Sequence, residues 1–124
     1  MTGTNNLLLY VTDPRASGRF YAALLGCEPI EASPTFVLFV LPSGLTVGLW
    51  RRDGVLPAPS AAGGGCELAF RVASATEVDA IHAGWRERGA TIAMAPADLD
   101  FGRSFVAVDP DGHRLRVYAQ APRS

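Results

Sequence analysis

The residues best placed to do chemistry lie on the stretch Asp109 to Tyr118, DPDGHRLRVY. There Arg114, Arg116 and Tyr118 recur with period two, so in a strand they share one face while Leu115 and Val117 share the other. A face that is cationic and aromatic suits either one wall of a small-molecule cleft or the solvated outside of an edge hairpin. Asp109-Pro110-Asp111-Gly112 suits a type I turn, because Pro110 fixes φ at the second position and Gly112 tolerates the φ that lets the chain double back. Ser104 to Val108 before the turn is β-rich, so a hairpin is expected. Other reactive side chains are sparse. Cys27 and Cys66 have no CxxC spacing and no nearby His, which makes buried reduced thiols the expectation rather than a metal or redox site. His82 falls on a predicted helix and His113 follows the turn, as surface or packing residues would.

These residues need a frame, and 124 residues suffice for one domain with a real core. All 11 cationic side chains are Arg, set against 12 Asp and Glu for a formal net charge of −1. With no basic block, nothing supports a nucleic-acid footprint. No basic leader, long apolar run or membrane-length segment is present, so no membrane association is expected and a soluble, cytoplasmic protein is.

Asn6 to Val11 is a strand candidate. Asp13 can cap the following helix with Pro14 at its first position; Ala16, Phe20, Ala23 and Leu24 share a face, and Gly26 is placed to end it. A weak strand from Glu28 to Ala32 follows. Thr35 to Leu41 is a β-branched and aromatic run that Pro42-Ser43-Gly44 turns into Leu45 to Trp50. Arg51 to Gly65, rich in turn formers and small residues, reads as a linker. A second series begins at Cys66 to Val72, where Leu68, Phe70 and Val72 alternate with polar or small residues. Ser74 and Glu77 have capping-box spacing for a helix lined inside by Val78, Ile81 and Trp85. Strand Ala90 to Met94, loop Ala95 to Arg103 and the hairpin complete it. The two series match element by element, which predicts an α+β protein of two tandem βαβββ modules, about 6–50 and 66–119, within a single domain. Neither module alone buries both its sheet and its helix, so a curled mixed sheet around a cleft with helices outside is expected.

VTDPRASGRFYAALLG, ELAFRV before a helix and FGRSFVAVDPDGHRLRVY, in this order and spacing, resemble the vicinal oxygen chelate superfamily. That group includes glyoxalase I, extradiol dioxygenases, fosfomycin-resistance enzymes and bleomycin-resistance proteins. The resemblance implies four metal-ligand positions, which in this chain hold Asn6, Gly48, Glu67 and Arg116. Only Glu67 is an ordinary ligand; a guanidinium has no lone pair to donate and repels a cation. No metal and no cofactor are therefore expected. In their place a bidentate Glu67–Arg116 contact is expected, with Asn6 adding a neutral hydrogen bond.

Strand alternation around those positions gives the candidate ligand-binding set Asn6, Tyr10, Trp50, Glu67, Arg71, Arg114, Arg116 and Tyr118. Trp50 and Tyr118 could instead pack at a subunit interface, since relatives commonly form dimers, and a homodimer is expected here. The resemblance implies a metal-free binding protein of the bleomycin-resistance type that sequesters a hydrophobic or aromatic compound. The alternative is a glyoxalase- or dioxygenase-like enzyme with unusual ligands or with Glu67 as general base.

Overall fold

The computed structural model describes residues 3–122. In order, the chain forms β1 (Asn6–Val11), α1 (Pro14–Leu25), β2 (Glu31–Ala32), β3 (Phe36–Val40) and β4 (Thr46–Arg51). A 3-10 turn at Arg52–Gly54 precedes β5 (Glu67–Arg71), α2 (Ala75–Glu87), β6 (Thr91–Leu99), β7 (Gly102–Val108) and β8 (Arg114–Gln120). The chain divides between Gly63 and Gly64 into two compact units, each βαβββ. Their sheets have the same topology, β1-β4-β3-β2 and β5-β8-β7-β6. In each, the first strand runs parallel to the last and the remaining pairs are antiparallel. The repeat expected from the sequence is thus a repeat of topology, with one helix on one face of each four-stranded sheet. No helix among the described residues is long and apolar enough to cross a membrane.

Local chemistry starts both helices. The Asp13 carboxylate accepts from the backbone N–H of Arg15 and Ala16 at 3.1 and 3.3 Å, and Ser74 Oγ accepts from Glu77 N–H at 3.2 Å. Gly26, at φ 67°, ends α1 in the left-handed conformation. The buried face of α1 is Pro14, Ser17, Gly18, Tyr21 and Leu24; of the expected face only Leu24 is buried, while Ala16 and Phe20 are half-buried and Ala23 is exposed. Close approach decides this: a Cβ at Gly18 would lie 3.2 Å from Val37 Cγ1, so small residues let the helix settle on β3 while Tyr21 reaches Phe39. In the second unit Val78 and Trp85 are buried as expected, and Ile81 is half-buried. Trp85 packs on Phe105 with ring centroids 5.4 Å apart, and His82 meets the same Phe105 at 5.2 Å, in a packing role.

Several sequence expectations need correction. β6 continues to Leu99 where a loop was expected after Met94, because β6 is an edge strand that absorbs Pro96 at a register shift between Met94 and Ala97. β2 shrinks to two residues. The expected linker is ordered at its start, where β4 extends to Arg51 and Val55 is buried. Both cysteines are free thiols, yet neither is buried: Cys27 is half-buried and Cys66 exposed.

Candidate functional site

Alternation splits the second sheet cleanly. Leu68, Leu115 and Val117 are buried, whereas Glu67, Ala69 and Arg71 on β5 and Arg114, Arg116 and Tyr118 on β8 share the opposite face. The parallel register sets Glu67 against Arg114, Ala69 against Arg116 and Arg71 against Tyr118. On the other side of β8, β7 brings Ser104 opposite Tyr118 and Val106 opposite Arg116.

Arg116 organises this face. Its Nε donates to Glu67 Oε1 at 2.7 Å and its Nη2 to Oε2 at 2.9 Å, the fork-to-fork geometry that fits a guanidinium to a carboxylate. The remaining nitrogen, Nη1, donates to Ser104 Oγ at 2.9 Å, and Ser104 is fully buried. Arg114 Nη2 adds a contact to Glu67 Oε2 at 3.0 Å. Side-chain exposures of 18% for Arg116 and 28% for Glu67 make this a half-buried pair, neither core nor surface. Hydrogen bonds from Arg116 hold the Glu67 carboxyl below its ordinary range against the opposing pull of partial burial, and the charges of Arg116 and Arg114 add to them. The same hydrogen bonds raise Arg116. Arg114 is held less well, since its Nε is buried with no hydrogen-bond partner among the described residues, which costs roughly 1–3 kcal/mol.

A turn completes the wall. Gly102 has φ 143°, and a Cβ there would lie 1.9 Å from the carbonyl oxygen of Ala119, so only glycine fits. The residue before it, Phe101, accepts a hydrogen bond from Ala121 N–H at 2.7 Å. Its ring meets Tyr118 edge to face at 5.7 Å, with the Arg116 guanidinium carbon 6.0 Å from its centroid. Glu67, Arg71, Phe101, Arg116, Tyr118 and Gln120 line an open cavity of about 570 Å³. Five of the expected residues therefore converge in this unit. Phe101, Ser104 and Gln120 are additions that sequence reasoning missed; the one available signal was an aromatic residue directly before the glycine of Phe101-Gly102.

The other expected residues belong to the first unit. Parallel register pairs Asn6 with Thr46, Leu8 with Gly48 and Tyr10 with Trp50. Tyr10 and Trp50 meet edge to face at 6.2 Å, and Asn6 Oδ1 accepts a hydrogen bond from Thr46 Oγ1. Gly48 has no room for a side chain, since a Cβ would fall 2.7 Å from Phe36 Cζ and 2.9 Å from Leu8 Cδ2. A separate cavity of about 520 Å³, lined by Arg15, Gly18, Arg19 and Val37 among others, opens beside α1. It lies on the helix side of the first sheet, away from the Tyr10 and Trp50 face.

A metal does not fit the positions that the family resemblance implies. Asn6 is engaged by Thr46, Gly48 is roofed by apolar atoms, Arg116 is a cation, and both Glu67 oxygens are committed to guanidinium groups. No group of three or more His, Cys, Asp or Glu suited to a metal ion occurs among the described residues.

A repeated βαβββ unit, helix on one sheet face and charged or aromatic side chains on the other, defines an α+β protein of the two-module vicinal oxygen chelate class. The model of the glyoxalase/bleomycin resistance protein/dioxygenase superfamily matches residues 3–117, and the chain belongs to that superfamily. It is 28% identical over 122 residues to the phenazine antibiotic resistance protein EhpR of Enterobacter agglomerans, covering 94% of this chain and 92% of that one. Protein ATC0852 of Agrobacterium tumefaciens, solved in solution by NMR, is 52% identical with a TM-score of 0.88, covering 98% of this chain and all (100%) of that one. A glyoxalase/bleomycin resistance protein/dioxygenase from Nocardioides is 25% identical with a TM-score of 0.85, covering 100% of this chain and 87% of that one.

Proposed function

We propose that the protein is a metal-independent binding protein that sequesters a planar aromatic small molecule, in the manner of a drug-resistance protein and as a cytoplasmic homodimer. The observation that carries this reading is the Arg116 guanidinium seated on Glu67 and Ser104, in a cavity walled by Phe101 and Tyr118. A carboxylate so bound is a weak base, which argues against proton abstraction by Glu67. Similarity to a phenazine resistance protein supports an aromatic ligand. The half-exposed Leu8 and Val40 on the first unit support a covered sheet face and hence a second copy.

The test is thermal unfolding of the purified chain with phenazine, with nickel, zinc or manganese, and with a chelator. Phenazine should raise the melting temperature by mass action while ions and chelator leave it unchanged. Stoichiometric metal after tag removal, or loss of stability with chelator, would overturn the metal-independent reading. Light scattering at micromolar concentration should give a dimer; a monomer there would remove the homodimer from the proposal.

A further inference from the structure

The cavity of the second unit carries a charge pattern that a neutral ligand does not use. Arg71, Arg114 and Arg116 against Glu67 leave this face with three positive charges and one negative, an excess of two, in a chain whose formal net charge is −1. Arg116 and Arg114 are committed to Glu67, whereas Arg71, exposed at the cavity rim, makes no side-chain hydrogen bond or ion pair among the described residues. Arg71 lies opposite Tyr118 across the parallel pair, and Tyr118 touches Phe101. A free guanidinium and an aromatic wall therefore sit side by side. Between Glu67 and Arg71 on β5 stands Ala69, small and exposed, which leaves open floor beside Arg116.

We infer that this cavity selects an aromatic carboxylate, with the acid group on Arg71 and the ring against Phe101 and Tyr118. The inference rests on the proposed sequestration of a planar aromatic molecule and assigns that molecule its charge. A cation would meet two guanidinium groups at the lining, because the single carboxylate is already neutralised. A neutral aromatic would leave Arg71 with water as its only partner, whereas a carboxylate accepts both arms of its fork.

The experiment is isothermal titration of the full chain with phenazine-1-carboxylate and with its neutral isostere phenazine-1-carboxamide, at low and high salt. The carboxylate should bind about tenfold tighter at low salt, the size of one charge-assisted contact, and the advantage should shrink as salt screens it. In Arg71→Gln that advantage should vanish, with the carboxylate losing far more affinity than the carboxamide, and Arg71→Lys should restore part of it. Because Arg71 is exposed, both variants should melt as wild type does. Equal affinity for the two compounds, or a carboxylate preference that survives Arg71→Gln, would overturn the charge assignment while leaving aromatic sequestration standing. Binding of neither compound would remove both readings.

Discussion

Arg116 and Glu67, 49 residues apart in sequence, meet through two parallel hydrogen bonds of 2.7 and 2.9 Å. The contact exists because β5 and β8 run parallel in register, which lays Ala69 beside Arg116 and leaves the longer Glu67 side chain free to lean across. Ser104 then fixes the far side of the guanidinium, so the cation is positioned from both neighbouring strands of the sheet.

The pair should be worth an intermediate amount. Fully buried partners would lose about 3–5 kcal/mol on truncation and fully exposed ones less than about 1 kcal/mol. With side chains 18% and 28% exposed, Arg116→Ala and Glu67→Gln should each cost about 1–2 kcal/mol. The double variant should fall short of the sum by about 1 kcal/mol, read from urea unfolding. Strict additivity would mean that the two side chains do not support each other in solution.

How much of this was legible in the sequence depended on which principle governed each element. Arg114, Arg116 and Tyr118 were legible because Leu115 and Val117 leave a strand only one way to bury itself. Glu67 came from the family resemblance, since no local pattern links residues 49 apart. Phe101 was hidden by Pro96 and Gly102, which read as a loop but serve as an edge-strand irregularity and a tight turn. The inner face of α1 was legible at Leu24 and misread elsewhere for a related reason: Ser17 and Gly18 pack by being small, and hydropathy does not register smallness. The roof over Gly48 depends on Phe36, whose place on the same face follows only from the antiparallel register of β3 and β4.

Acid should weaken the protein through Glu67. Its folded-state pKa lies below the ordinary 4.5, so its contribution is full above that value and is lost as pH falls through the lower folded one. The stability gap between wild type and Glu67→Gln should therefore hold steady from neutrality to about pH 5 and narrow below about pH 4. Urea midpoints across that range check the point; a gap that narrows above pH 6 would implicate a different group.

Gly102 should tolerate no replacement. At φ 143° an L side chain is strained, and a Cβ 1.9 Å from the Ala119 carbonyl oxygen cannot be relieved by rotating a side chain. Gly102→Ala should destabilise by more than about 3 kcal/mol, and it should also weaken ligand binding by displacing Phe101. Phe101→Ala separates the two effects: it should weaken aromatic binding while leaving the urea midpoint close to wild type, because the ring is exposed at 43%.

Gly48 differs from Gly102 in what obstructs it. A Cβ there would meet side-chain atoms, Phe36 Cζ at 2.7 Å and Leu8 Cδ2 at 2.9 Å, not backbone, and its φ lies outside the left-handed region. Overpacking of this kind costs roughly 1–3 kcal/mol and can be relieved by making the neighbour smaller. Gly48→Ala alone should thus destabilise by that amount, and Gly48→Ala with Phe36→Leu should recover at least half of the loss, giving a coupling of about 1 kcal/mol in a double-mutant cycle. Gly48→Glu should be worse than Gly48→Ala, because the larger carboxylate must displace the ring and enters a roof of apolar atoms. If Gly48→Glu instead matched wild-type stability and bound nickel or manganese, the ring would be shown to swing aside readily, and the apolar roof would no longer explain why this position carries no ligand.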